Sequence, residues 1–362
     1  MNPAGPTGRP VTRPAQPRRG GPDSRQVAAL GHVFAPPGAP ARITPATLAL
    51  PLVVLGGVAS AAQGTVNAEL GARVGNPAMG AVVNNLVGCL LVLAGLAMMP
   101  SMRSGLRTLR RAGPPAWAYL GGLGGAAIVL IASYVVPVLG VAVFTIAQVA
   151  GNTAGGLVVD RGGLAGSRLP VTVPRLAGAG LGLVAVALAQ VGRPVGEPTA
   201  GLTLLAVVGG LAVALQAALN GRLAAVGGAG AGTAVNFLVG TPVVLVVAAV
   251  GATATGVAPI PSQWPTGWFL YTGGLLGVFI VVALLVGVRS LGVLRTGLAI
   301  VAGQLGGALL LDTLVPGGPG VRLPVLVGAL LTLMAVAISG IGRGSAGAVR
   351  AGAGGNPGTP GA

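Results

Sequence analysis

Ten apolar stretches, each about twenty residues long, follow one another at 46–68, 77–99, 115–136, 139–159, 173–192, 201–220, 231–252, 267–288, 291–311 and 323–341. A helix of about twenty residues crosses a hydrocarbon core of about 30 Å. Lipid cannot hydrogen-bond an exposed backbone, so a spanning chain must satisfy its own polar groups, as a helix does. The pattern therefore predicts an all-α membrane protein with ten transmembrane helices. Pro137 is the break between the third and fourth stretches, and Arg289-Ser290 the break between the eighth and ninth. Merging either pair would make a run of about 45 residues, too long for one crossing.

Charge supports this reading and excludes others. Only 7% of the 362 residues are charged, against about 25% in a soluble domain. The net charge of +16 comes from arginines in loops and tails, with no lysine anywhere, so it does not indicate nucleic-acid binding. Lacking lysine, the chain cannot form a P-loop. One cysteine, Cys89, excludes an intramolecular disulfide, a cysteine zinc site and an iron–sulfur cluster. The one histidine, His32, lies in a Pro-, Gly- and Arg-rich arm spanning 1–42. That composition predicts disorder, and the arm lacks the apolar core and cleavage site of a signal peptide. Residues 342–362 read as a similar tail. No cofactor or metal is expected, and energy for work must come from a gradient or another subunit.

The chain repeats itself. At an offset of 153, Gly56-Gly57 recurs as Gly209-Gly210, and Gln63-x3-Asn67 as Gln216-x3-Asn220. At 152, Asn84, Gly88, Gly121-Gly122-Leu123-x-Gly125, Leu139-Gly140, Gly151, Gly155 and Asp160 recur as Asn236, Gly240, Gly273-Gly274-Leu275-x-Gly277, Leu291-Gly292, Gly303, Gly307 and Asp312. Two five-helix units result, at 46–192 and 201–341. Five is odd, so the second unit must enter the membrane from the opposite side, giving the inverted repeat found in many secondary transporters. With the N-terminus inside, 18 of the 21 arginines face the cytoplasm; Arg73, Arg193 and Arg322 do not. Positive-inside bias thus places both termini in the cytoplasm.

These motifs resemble the drug/metabolite transporter superfamily, most closely its YdcZ-like branch, in a fused two-repeat form. The resemblance rests on G-x6-Q-x3-N (Gly56, Gln63, Asn67), Asn-x3-Gly (Asn84, Gly88), the Gly-Gly-x-x-Gly opening of helix 3, and the Gly-Asn pair (Gly151, Asn152) followed by Asp160 that closes helix 4. In the second half, Gly303, Gln304 and Asp312 stand closer to the branch's Gly-Gln form. Asn152 departs from it, as does Arg289 at the position of Pro137. Membership implies a ten-helix inner-membrane carrier of small metabolites or drugs.

Polar groups inside the spans are the candidate site. On a helical wheel, Gly56, Ser60, Gln63 and Asn67 fall within about 60°, as do Gly209, Gln216 and Asn220, so each stripe faces one neighbour or one cavity. Two readings stand. Amides can serve as interhelical glue at about 0.6–2 kcal/mol per contact. Alternatively Gln63, Asn67, Asn84, Gln216, Asn220 and Asn236, with Asn152 and Gln304, bind substrate in a central cavity. Asp160 and Asp312 close helices 4 and 9, where the helix dipole disfavours negative charge. Either pairing, with Arg161 in the first half, or hydration holds them there, or they form coupling gates. Glu69 points away from the amide stripe and reads as interfacial, and the recurrent Gly-x3-Gly pairs read as packing.

The reading favoured by these residues is a secondary transporter working by alternating access on a small neutral or amphipathic metabolite or drug. Its expected partners are the substrate and membrane lipid, with protons or another coupling ion and a homodimer left open, and no nucleic acid. A non-transporting membrane scaffold is the alternative. An intramembrane lipid-modifying enzyme lacks a nucleophile or metal set. An enzyme is therefore not expected.

Overall fold

A computed structural model describes residues 46–164, 168, 170–192, 197–256, 260–291, 293–314 and 320–352; the arm at 1–42 lies outside them. The described residues form helices and connections. The first half contains α1 (Ala46–Arg73), α2 (Ala78–Met98), α3 (Pro100–Ala112), α4 (Gly121–Leu139), α5 (Val141–Gly162) and α6 (Val173–Ala189). The second contains α7 (Glu197–Gly227), α8 (Ala229–Thr255), α9 (Gly273–Leu291), α10 (Val293–Leu314) and α11 (Leu323–Gly352). Short 3-10 turns, Ala116–Leu120 and Trp268–Tyr271, lead into α4 and α9.

Eight helical segments among the described residues are long and apolar enough to cross a membrane, and Val173–Ala189 and Gly273–Leu284 are shorter apolar helices. Large side chains such as Leu48, Leu90, Val158, Leu183, Val246 and Leu330 remain exposed on the outer surface. In water such a surface would drive aggregation; in lipid it is solvated. The chain is a multi-pass membrane protein.

Several boundaries differ from the sequence reading. Pro137 lies inside α4, and the break falls at Gly140, whose φ of 78° lies in the left-handed region that glycine tolerates. Arg289-Ser290 likewise lies within α9. A proline in a last turn removes one hydrogen bond without ending the helix, whereas a positive φ turns the chain. Helix α11 continues to Gly352, into the stretch read from sequence as tail. Helix α3 was not foreseen. Its apolar residues Met102, Leu106 and Leu109 alternate with arginines at a 3.6-residue period, too polar a pattern for a span search to register.

The helices pack by exchange. Leaving out the amphipathic α3, the first helix of each half lies against the third and fourth helices of the other: α1 on α9 and α10, and α7 on α4 and α5. The second helices, α2 and α8, pack on each other, as do the last, α6 and α11. The main core gathers small residues, including Ala61, Ala142, Val143, Ala147, Ala206 and Ala308, around Leu139, Phe144, Ile146 and Leu305. Alanine and glycine let backbones approach closely, which drives association where lipid removes most of the hydrophobic incentive.

Candidate functional site

The apolar helices carry their amides inward to a cavity of about 370 Å³ bounded by α1, α2, α4, α5 and α7–α10. Gln63 and Asn67 reach it from α1, Asn84 from α2, Gln216 and Asn220 from α7, Asn236 from α8 and Gln304 from α10. Seven of the eight amides singled out from sequence are therefore brought together. Ile128, Val129, Phe144, Val213, Phe237 and Ile280 supply apolar walls, and no ionised side chain lines the space among the described residues.

The amides form two similar clusters. Gln63 Nε2 donates to Asn84 Oδ1 and to the carbonyl of Gly273, both at 2.9 Å. In the other, Gln216 Nε2 donates to Asn236 Oδ1 at 2.9 Å, and Asn220 Nδ2 donates to the same oxygen at 2.8 Å. Each cluster is seated on the Gly-Gly-x-x-Gly motif of the opposite half. A Cβ at Gly273 would collide with Asn67 Oδ1, and one at Gly277 would lie 2.8 Å from Gln63 Nε2. In the mirror arrangement, a Cβ at Gly121 would collide with Asn220 Oδ1, and one at Gly125 would lie 2.7 Å from Gln216 Nε2. The middle glycines meet backbone: a Cβ at Gly122 would sit 2.6 Å from the Asn236 carbonyl, and one at Gly274 would sit 2.7 Å from that of Asn84. The motif thus makes room for amides, beyond the helix packing expected of it.

Asn152 is a correction. It is exposed and does not line the cavity. Its repeat counterpart Gln304 is one methylene longer and reaches inward, where its Nε2 donates to Gln148 Oε1 at 3.2 Å. Gln148 takes the cavity position from α5, one turn before Asn152. Its counterpart at an offset of 152 is Ile300, so a search for repeated polar residues passes over it. An isolated glutamine in the apolar run from Val141 to Gly151 was the available signal. Asn85 and Thr145 also line the cavity. Asn85 donates to the Ala81 carbonyl at 3.0 Å.

Neither Asp160 nor Asp312 lines the cavity. The buried Asp312 accepts from the backbone N–H groups of Val141 at 2.8 Å and Ala142 at 2.9 Å. The C-terminal end of α10 thereby caps the N-terminus of α5, whose dipole favours an anion. Asp160 pairs with Arg175 rather than with the expected Arg161. Arg175 is buried at the start of α6 and also donates to the Pro170 carbonyl at 3.1 Å. Its first-turn position on the next helix brings its guanidinium back over the end of α5, whereas Arg161 is exposed. Glu69 pairs at 2.7 Å with Arg73 on an exposed face, as an interfacial residue would.

A family model described as "Putative inner membrane exporter, YdcZ" matches the chain twice, over residues 48–188 and 201–341. No curated protein and no solved structure matches it. Two matched copies that coincide with the two packed halves, together with the apolar helices and the amide-lined cavity they enclose, place this chain in the YdcZ family of drug/metabolite transporter type, whose members are described as inner membrane exporters.

Proposed function

We propose that the chain is a secondary active transporter that moves a small neutral or amphipathic molecule across the inner membrane by alternating access between two inverted five-helix halves. The observation that carries this is the cavity itself, polar through carboxamides, apolar elsewhere and without an ionised lining residue. Desolvating a charge there would be costly, whereas a ligand with a few hydrogen-bonding groups on an apolar body can meet both kinds of wall. A second observation bears on the mechanism. Ala61 and Ala68 of α1 share a buried cluster with Ala132, Val135 and Leu139 of α4, and the two helices pack together. Among the described residues their counterparts α7 and α9 show no comparable packing. Exchange of these two arrangements would close one mouth of the cavity and open the other.

The test is counterflow in proteoliposomes across a panel of neutral and amphipathic compounds, with a Gln63→Leu, Gln216→Leu double variant as the control. Flux that is lost in the variant supports the reading. Cysteine placed at Asn67 or Asn220 in a Cys89→Ala background should react with a water-soluble thiol reagent. No labelling from either side would indicate a closed scaffold instead. Reporters fused after Arg111 and after Gly256 should give cytoplasmic and exterior signals respectively, and both on one side would break the inverted topology. Coupling through Asp160 or Asp312 is abandoned if flux is unchanged in the Asp160→Asn, Asp312→Asn double variant.

A further inference from the structure

Helix α3 has no counterpart among the described residues of the second half, where the matching connection, 256–267, carries no charged residue. Its arginines fall at 103, 107, 110 and 111, a spacing that gathers them within about 100° of the helical wheel. All four are exposed. The opposite face is committed to protein: Gly105 and Leu109 are buried, and Gly105 lies so close to the Gly227 carbonyl that a Cβ there would collide with it. The crossing is reciprocal, since a Cβ at Gly227 would lie 2.8 Å from the Gly105 carbonyl. The helix is therefore clamped onto the turn between α7 and α8 with its charged face outward. Both its ends run into membrane helices, which fixes it at the level of the bilayer surface.

The half-buried Arg222 stands 4.9 Å from the ring centroid of Trp117, in the 3-10 turn that follows α3, and adds a fifth positive charge near this end of the helix. None of these five arginines has a carboxylate partner among the described residues, and the chain contains no acid between Glu69 and Asp160 or between Glu197 and Asp312. The related contact elsewhere is different: Arg73 stands 5.9 Å over Phe269 but is balanced by Glu69. Neither terminal stretch complements the patch in charge. The arm carries six arginines and one acid, and the residues after 341 carry arginine and no acid, so both would be repelled. Anionic phosphate at headgroup depth is the complementary chemistry available to a clamped helix in this position.

We propose that α3 with Arg222 forms a binding surface for the headgroups of anionic phospholipids. Exposed guanidiniums give paired hydrogen bonds to phosphate, and clusters of four or more basic residues on an interfacial amphipathic helix are attracted by anionic lipid.

The full chain is reconstituted in phosphatidylcholine bilayers containing trace spin-labelled phosphatidylglycerol or spin-labelled phosphatidylcholine, and the motionally restricted fraction of each is read by electron paramagnetic resonance. The expected result is a preference for phosphatidylglycerol of at least about threefold, given the attraction of each arginine near the surface. It should fall close to unity in the Arg103→Gln, Arg107→Gln, Arg110→Gln, Arg111→Gln variant and persist when the same four become lysine. Should the fourfold glutamine variant fail to fold, Arg107→Gln, Arg110→Gln must lower the preference by at least half. Soluble glycerol phosphate at matched ionic strength should leave the preference in place; abolition by it would indicate a site for a soluble anion and overturn the proposal. An equal restricted fraction of both lipids in the parent protein, or an unchanged preference in a folded glutamine variant, overturns it as well. The readout needs no transported compound, so it stands or falls separately from the transport reading.

Discussion

At the scale of single residues, the site depends as much on hydrogen atoms where side chains could be as on the amides themselves. Gly273 makes room for Asn67, and an added methyl would also come within 2.9 Å of Asn84 Oδ1. Gly273→Ala is therefore expected to destabilise the protein by about 1–3 kcal/mol, the usual range for overpacking, and to reduce flux at least tenfold. Thermal unfolding in detergent and counterflow check the two effects. Gly180, where a Cβ would meet nothing within 4 Å, is the contrast: Gly180→Ala should leave flux intact and stabilise by about 0.5–1 kcal/mol, since alanine loses less backbone entropy in a helix. Gln148 and Asn152 form a second contrast, one turn apart. Gln148→Leu should impair transport of whichever compound the panel identifies, and Asn152→Leu should not; the opposite ranking would mean the cavity boundary is misplaced. The amide stripes of α1 and α7 were legible in sequence because a polar residue in an apolar run must find a partner. Gln148 carries the same signal, but its repeat counterpart is Ile300, so a search for repeated polar residues passes over it, and its partner Gln304 stands on another helix, 156 positions away.

At the scale of helices, the sequence displays strong periodicity and conceals what meets at the ends. Most apolar runs were readable to within a few residues, but α7 ends seven residues beyond its expected end and α11 eleven beyond. The misplaced boundaries came from reading proline and charge as breaks, where a glycine at positive φ does the turning at Gly140. The aspartates show the limit clearly. Their repeat relationship and their position at helix C-termini, where charge is unfavourable, implied that something compensates. What compensates Asp312 is the N-terminus of α5, 171 positions away. Removing the carboxylate strands two buried donors and an uncompensated dipole end. Asp312→Ala is thus expected to cost about 1–2 kcal/mol, as for loss of a helix cap, and Asp312→Asn less, because one acceptor oxygen remains. Both can be read from thermal unfolding. A loss of flux with unchanged stability would restore Asp312 to the role of a gate.

At the scale of the molecule, repeated motifs revealed two similar halves but could not show how they meet, since an offset records likeness and says nothing of partners. The structure shows exchange: the glycines of α4 hold the amides of α7, those of α9 hold the amides of α1, and Asp312 of one half caps a helix of the other. A half in isolation would present Gln63, Asn67 and an unfilled glycine groove to lipid, where each unsatisfied polar group costs several kcal/mol. The two halves are therefore expected to be mutually required. Cutting the chain between residues 192 and 197, in the connection before α7, leaves every one of these contacts available. Residues 1–192 carrying an affinity tag and residues 193–362 without one should co-purify when expressed together, and the complex should regain flux. Expressed singly, each should be degraded or aggregate. A single half that is monodisperse in detergent and melts like the intact chain would show that the halves stabilise themselves, and the exchange of amides and glycines would then have to serve movement of the halves rather than assembly.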